Sequence, residues 1–136
     1  MTNLLAIIRR HEGLRLKPYL CSEGKITIGF GRNLEDMGIS EKEAEMLLMS
    51  DIERCYEELD VFSWFHDLDQ VRQEAMVNML FNLGLPTFLE FKRTLKFMAE
   101  GAYSQAAAEM LDSKWADQVG DRAREIAYMV DTGCYM

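Results

Sequence analysis

The chain has 136 residues and a net charge of -8, with 49% hydrophobic and 28% charged side chains. That length is about one domain's worth and can bury a core. The negative sign argues against a nucleic-acid partner, no apolar run is long enough for a membrane span, and three cysteines at unrelated spacings fit neither a zinc pattern nor a disulfide framework.

Charge is unevenly placed. Residues 1–34 carry six basic and two acidic side chains, net +4, and the remainder carries net -12. The opening MTNLLAIIRR puts its charges after a short apolar patch, the wrong order for a secretory signal. A product made in the cytoplasm with reduced thiols is therefore expected.

Thr2 reads as the cap of a first helix, with Leu4, Leu5, Ile7 and Ile8 on its buried side and Gly13 as its stop. The period then changes. Residues 15–20 and 26–30 read as two strands joined by a turn at Ser22–Lys25, and Gly29 and Gly31 suggest close backbone approach or a tight exit. Ser40 and Glu43 form a capping box opening a long helix over 41–59, whose apolar stripe runs Ala44, Leu47, Leu48, Ile52, Cys55, Tyr56, Leu59. Residues 60–68 break the pattern. Further helices are expected over 69–83, 87–99, 103–112 and 121–131, closed by Gly84, Gly101 and Gly133 where a glycine follows. The fold class is α+β and mostly helical: a small β-hairpin lobe over 13–40, an interlobe helix over 41–59, and a helical lobe over 60–136 plus 1–12. Two lobes joined by one helix imply a cleft between them.

Three side chains stand out around the hairpin. Glu12 closes the first helix, where the negative end of the dipole and apolar neighbours would raise its pKa toward that of a general acid. Cys21 and Thr27 flank the turn and can face each other across the strands, holding a water opposite the glutamate.

Longer stretches carry a likeness: Glu12-Gly13-Leu14-Arg15-Leu16, Tyr19, Glu23-Gly24, Thr27-Ile28-Gly29-Phe30-Gly31, residues 39–45 (ISEKEAE), residues 77–84 (VNMLFNLG), Ser113-Lys114-Trp115 and Arg122-Ala123. In these the chain resembles the phage-type lysozymes, glycoside hydrolase family 24, in order along nearly its whole length. The resemblance implies a lysozyme-like two-lobed fold and hydrolysis of the β-1,4 bond between N-acetylmuramic acid and N-acetylglucosamine in bacterial peptidoglycan, without cofactor or metal. By it Glu12 is the general acid, Thr27 orients the attacking water, and Arg122 supports the glutamate. Asn33, Phe81, Thr94 and Glu109 fall where the family touches saccharide, with Phe91 lining the same cleft. It also implies a monomer that lyses the host cell wall from inside, crossing the membrane with a partner such as a holin.

Some positions depart from the family. Arg32 stands where histidine is familiar, Glu109 is acidic where an amide is seen, and residues 32–39 leave no room for a further short helix that some relatives carry. Cys21 stands where the family usually has a catalytic aspartate. At its ordinary pKa only a few per cent of a thiol is ionised at pH 7. Cys21 can act as base, as nucleophile, or as a positioner of water. The competing readings are a direct role for Glu23 and a catalytically silent peptidoglycan-binding or virion-associated protein. Cys55, Cys134, His11 and His66 read as structural or surface residues, Trp64 and Trp115 as packing anchors, and the methionines as core filler.

Overall fold

A computed structural model describes residues 2–136, without the side chain of Thr2. The Thr2 cap expected from the sequence lies outside the described residues. The chain divides into two compact units, residues 1–47 and 48–136.

The first unit opens with α1 (Thr2–Glu12), followed by a three-stranded antiparallel sheet, β1 (Arg15–Leu20), β2 (Ile26–Gly29) and β3 (Arg32–Asn33), in the order β1-β2-β3. Tyr19 pairs with Thr27 and Leu20 with Ile26, while β2 continues to β3 through Thr27–Asn33 and Ile28–Arg32. Thr27 thus sits at the centre of three strands, and it is the one buried side chain of this unit among the described residues. The four apolar residues expected on a buried side of α1 are 39–51% exposed, because no element of this unit packs over them.

The sequence reading missed two short elements here. β3 is only two residues long, and the segment 32–39 does hold a helix, α2 (Leu34–Met37). Asn33 makes room for it by capping: its Oδ1 accepts from the Asp36 N–H at 3.0 Å, so four residues suffice for a turn.

The long helix α3 (Glu41–Leu59) begins on the expected capping box. Glu43 N–H donates to Ser40 Oγ at 3.1 Å, and Ser40 N–H donates to Glu43 Oε1 at 2.9 Å. The same carboxylate takes Arg32 in a two-pronged pair, Nη1 to Oε1 at 3.0 Å and Nη2 to Oε2 at 2.6 Å, which clasps β3 to the start of α3. Of the apolar stripe, only Cys55 and Leu59 at its C-terminal end are buried.

The second unit carries the hydrophobic core. After α4 (Ser63–His66) comes α5 (Gln70–Leu83), which buries Ala75, Met76, Val77, Met79 and Leu80 and so is apolar on more than one side. It packs against α10 (Asp121–Thr132), which packs in turn against α8 (Tyr103–Leu111), and α8 against α7 (Lys92–Ala99). Ala106 and Ala107 on α8, with Ala123 and Ala127 on α10, are buried; such small side chains let two helices approach closely. Met76, Met79, Met98, Met110 and Met129 fill the interior, as expected for methionine.

Where one helix was expected over 87–99, there are two, α6 (Leu85–Leu89) and α7. Glu90 N–H turns to Thr87 O and Phe91 N–H to Phe88 O, tightened bonds that end α6. Helix α9 (Lys114–Val119) was also missed; Ser113 caps it by accepting from Ala116 N–H at 3.1 Å.

The Arg32 guanidinium and the Ser40 donors hold the Glu43 carboxyl down at about 2, from an ordinary 4.5. A depressed carboxylate contributes stability that is complete above its unfolded pKa and lost as pH falls through the folded one. The β3–α3 clasp is therefore expected to loosen between about pH 4.5 and 2, seen as shifting amide resonances of residues 32–43 by NMR. In Glu43→Gln the shifts of Arg32, Ser40 and residue 43 should lose this low-pH step, while those next to Glu35, Asp36 and Glu41 keep their own titrations.

Candidate active site

Glu12 is the last residue of α1, and Gly13 N–H closes the helix by donating to Arg9 O at 2.9 Å. One turn earlier the Arg9 guanidinium lies over the Phe30 ring, 5.7 Å from its centre. Phe30 belongs to the Gly29-Phe30-Gly31 turn joining β2 to β3, so the end of α1 is tied to that turn. Gly31 adopts φ +80°, and a Cβ there would stand 2.6 Å from Glu12 Oε2. The carboxylate rests against bare backbone at Gly31, whereas nothing lies within 4 Å of a Cβ placed at Gly29. Glu12 is exposed, so the first unit does not supply the apolar surroundings anticipated for it.

The hairpin turn is closed by Cys21 N–H to Lys25 O at 2.9 Å and Gly24 N–H to Cys21 O at 2.8 Å. This curls the backbone around the half-buried Cys21 side chain. Hydrogen bonds from the Lys25 and Glu23 backbone hold its thiol below the ordinary value, against a smaller opposing effect of burial. Thr27 Oγ1 donates to Lys25 O at 2.9 Å, which ties the hydroxyl to the same turn and leaves its lone pairs open. The Glu23 side chain is exposed in the turn; its backbone lowers the Cys21 thiol, and its charge, a smaller effect, raises it. The structure thus brings Cys21 and Thr27 together on one turn. Asn33 lies directly across from Thr27, with its amide engaged in capping α2.

The remaining sequence-derived residues lie in the second unit, in two places. Phe81, 40% exposed, lines a cavity of about 430 Å³ with Ile52, Tyr56, Val77, Asn78 and Arg122. Arg122 is fixed there by Asn78, whose Oδ1 accepts from Nε at 3.0 Å and Nη2 at 2.7 Å. Phe91, Thr94 and Glu109 line a separate groove of about 360 Å³. Phe91 meets Trp115 edge to face at 6.1 Å, and Trp115 Nε1 donates to Asn82 Oδ1 at 2.7 Å, so the aromatic wall is locked.

Sequence reasoning missed Asn78 and Arg93. Arg93 Nη2 pairs with Glu109 Oε1 at 3.0 Å. A signal for Arg93 existed: Lys92 and Arg93 occupy the first turn of a helix, where the dipole disfavours cations. No group of three or more His, Cys, Asp or Glu able to hold a metal occurs among the described residues.

The pattern of the phage lysozymes matches residues 9–127. The chain belongs to the phage lysozyme family. It is a glycoside hydrolase of that family, and the carboxylic acid of Glu12 and the thiol–hydroxyl pair of Cys21 and Thr27 lie within the matched region. Among similar proteins is a probable T4-type lysozyme 1 of Dictyostelium discoideum, 26% identical, covering 98% of this chain and 96% of that protein. An endolysin of Acyrthosiphon pisum secondary endosymbiont phage 1 is 35% identical over 82% of this chain and 76% of its own length. The pre-baseplate central spike protein Gp5 of Enterobacteria phage T4 is 27% identical over 96% of this chain and 28% of its own. The alignment to the Dictyostelium protein runs to 163 positions against 136 residues here, so that relative carries segments this lysozyme lacks.

Alanine at position 31 would displace the Glu12 carboxylate and strain the backbone by about 1–2 kcal/mol. Gly31→Ala is expected to lower kcat/KM on bacterial walls more than tenfold while moving the thermal unfolding midpoint by only a few degrees. Activity and melting measured on the same preparation check this.

Proposed function

We propose that the protein is an endolysin that cuts the β-1,4 bond between N-acetylmuramic acid and N-acetylglucosamine to lyse a host cell, with Glu12, Cys21 and Thr27 carrying the reaction. Glu12 protonates the departing glycosidic oxygen. Water supplies the nucleophile, held between the Cys21 sulfur and the Thr27 oxygen. The reading of water over direct attack by sulfur is supported by the Thr27 hydroxyl, which lies within hydrogen-bond reach of both Lys25 O and the Cys21 sulfur and so sits beside any water held on that sulfur. The Thr27 oxygen accepts a hydrogen from that water, while the thiolate accepts the other and the water's lone pair faces the sugar. Cys21 then does the work that a carboxylate base does in an inverting glycosidase. The hydrogen bonds on its sulfur raise the thiolate fraction above that of a free thiol.

Phe81, Phe91, Thr94 and Glu109 contribute to holding the wall polymer, and Arg122 takes a supporting role. Asn33, across the strands from Thr27, contributes to holding the same polymer. The protein acts on the cell wall as a monomer, after release across the inner membrane with help from a holin.

Glu12→Gln keeps the shape and removes the proton, so wall hydrolysis should fall by about 10²–10⁴-fold. Release of reducing ends from purified peptidoglycan measures it, and undiminished release would end the assignment. Cys21→Ala should lose lytic activity by a similar factor, whereas Cys21→Asp should retain it, because a carboxylate can accept the same proton. Alkylation of the parent should mimic Cys21→Ala, with Cys55→Ala/Cys134→Ala as the control.

A further inference from the structure

Strand β3 is only two residues long, yet it stands between two of the groups that carry the reaction. Just before it, the bare backbone of Gly31 lies against the Glu12 carboxylate, so close that a Cβ there would stand 2.6 Å from Oε2. Within it, Arg32 pairs with Ile28 and Asn33 pairs with Thr27. A displacement of residues 31–33 therefore moves the surface behind the acid and the strand beside the hydroxyl together. So short a strand makes too few ladder bonds to fix its own position.

Its anchor is a side chain. Arg32 Nη1 donates to Gly38 O at 3.1 Å and to Glu43 Oε1 at 3.0 Å, and Nη2 donates to Glu43 Oε2 at 2.6 Å. A guanidinium fork on a carboxylate fixes orientation as well as distance. The acceptor is itself held, because Glu43 Oε1 also accepts from Ser40 N–H at 2.9 Å in the capping box of α3. Strand β3 is thus tied both to the first turn of a long helix and to the backbone that leads into it.

The other charged groups around the clasp are engaged elsewhere or face solvent. Glu35 and Asp36 on α2 lie 3.4 Å from Lys25, and Asp36 also accepts from Asn33 Nδ2 at 2.9 Å. Glu41 and Lys42, beside Glu43, are exposed. Among the described residues Glu43 is the ion-pair partner of Arg32. Arginine stays protonated, and the Glu43 carboxyl is held down at about 2, so the clasp keeps both charges from acid to alkaline pH.

We infer that Arg32 is a positioning residue for the reaction: through Gly31 and Asn33 it sets the Glu12 carboxylate and the Thr27 hydroxyl in place without touching substrate. This rests on the hydrolase reading, with Glu12 and Thr27 in the roles given above.

The test measures kcat and KM for release of reducing ends from purified peptidoglycan across neutral pH, with folding checked by circular dichroism at each pH. Arg32→Gln should lower kcat about tenfold with KM changed by about twofold or less, since a small misplacement of reacting groups is costly. Arg32→Lys should recover part of the loss, because an ammonium supplies the charge without the fork. Glu43→Gln should match Arg32→Gln, and the double variant should lose no more than either single one. Arg32→His separates positioning from support of the fold. Its kcat relative to the parent should be highest at about pH 5, where an imidazolium pairs with Glu43, and fall several-fold by about pH 8, while the Arg32→Gln ratio stays flat. A folded Arg32→Gln with the parent's kcat would overturn the inference, as would an Arg32→His ratio that does not change with pH. Should the parent itself release no reducing ends, the hydrolase reading falls and this inference with it.

Discussion

The turn from Cys21 to Lys25 is the constraint on which the chemistry of the first unit depends. Two backbone bonds close it, Cys21 N–H to Lys25 O and Gly24 N–H to Cys21 O, at 2.9 and 2.8 Å. The curl directs the backbone of Glu23 and Lys25 toward the sulfur. The same Lys25 carbonyl also takes the Thr27 hydroxyl. One short loop thus tunes a thiol and orients an oxygen, without any bulky support. A carboxylate at position 21 would accept from the same donors.

The two units meet different physical demands. In the first, order comes from hydrogen bonds and ion pairs: the Arg32–Glu43 clasp, the Asn33 cap, and the Arg9–Phe30 and Glu12–Gly31 contacts at the end of α1. It buries Thr27 and little else. Such contacts are directional but individually modest. In the second, order comes from apolar burial around α5, α8 and α10, with Leu59, Phe88, Met76, Ile126 and Val130 fully enclosed. That core holds the walls of the groove at α7, where Phe91, Trp115 and Asn82 lock one another.

Much of this was legible before any coordinates. Ser40 and Glu43 announced α3, since a capping box has a fixed spacing, and Gly84 and Gly133 marked the ends of α5 and α10. Glu12, Cys21 and Thr27 were singled out by the likeness to the phage-type lysozymes, because a glutamate before a glycine and a thiol and hydroxyl on one hairpin are by themselves a weak signal. What escaped was too short to show a period: β3 at two residues, α2 and α4 at four, α9 at six. The break at Glu90–Phe91 escaped because apolar residues keep helical spacing across it. The face of α1 was misjudged for another reason: periodicity says which side is apolar, not what covers it. Asn78 escaped because its partner, Arg122, is 44 residues away along the chain, and the pairing of Arg93 escaped because Glu109 is 16 residues away, although two cations in a helix's first turn were visible.

The central claim is that a water activated by the Cys21 thiolate, and not the sulfur itself, attacks the sugar. Proton NMR of the freshly released reducing end tests it most directly, read before mutarotation scrambles the anomers. Attack by water on the face opposite the leaving group should give the α-anomer from the β-linked chain, with no mass added to the protein. Initial release of the β-anomer, or a sugar trapped on Cys21 as a thioglycoside, would contradict it.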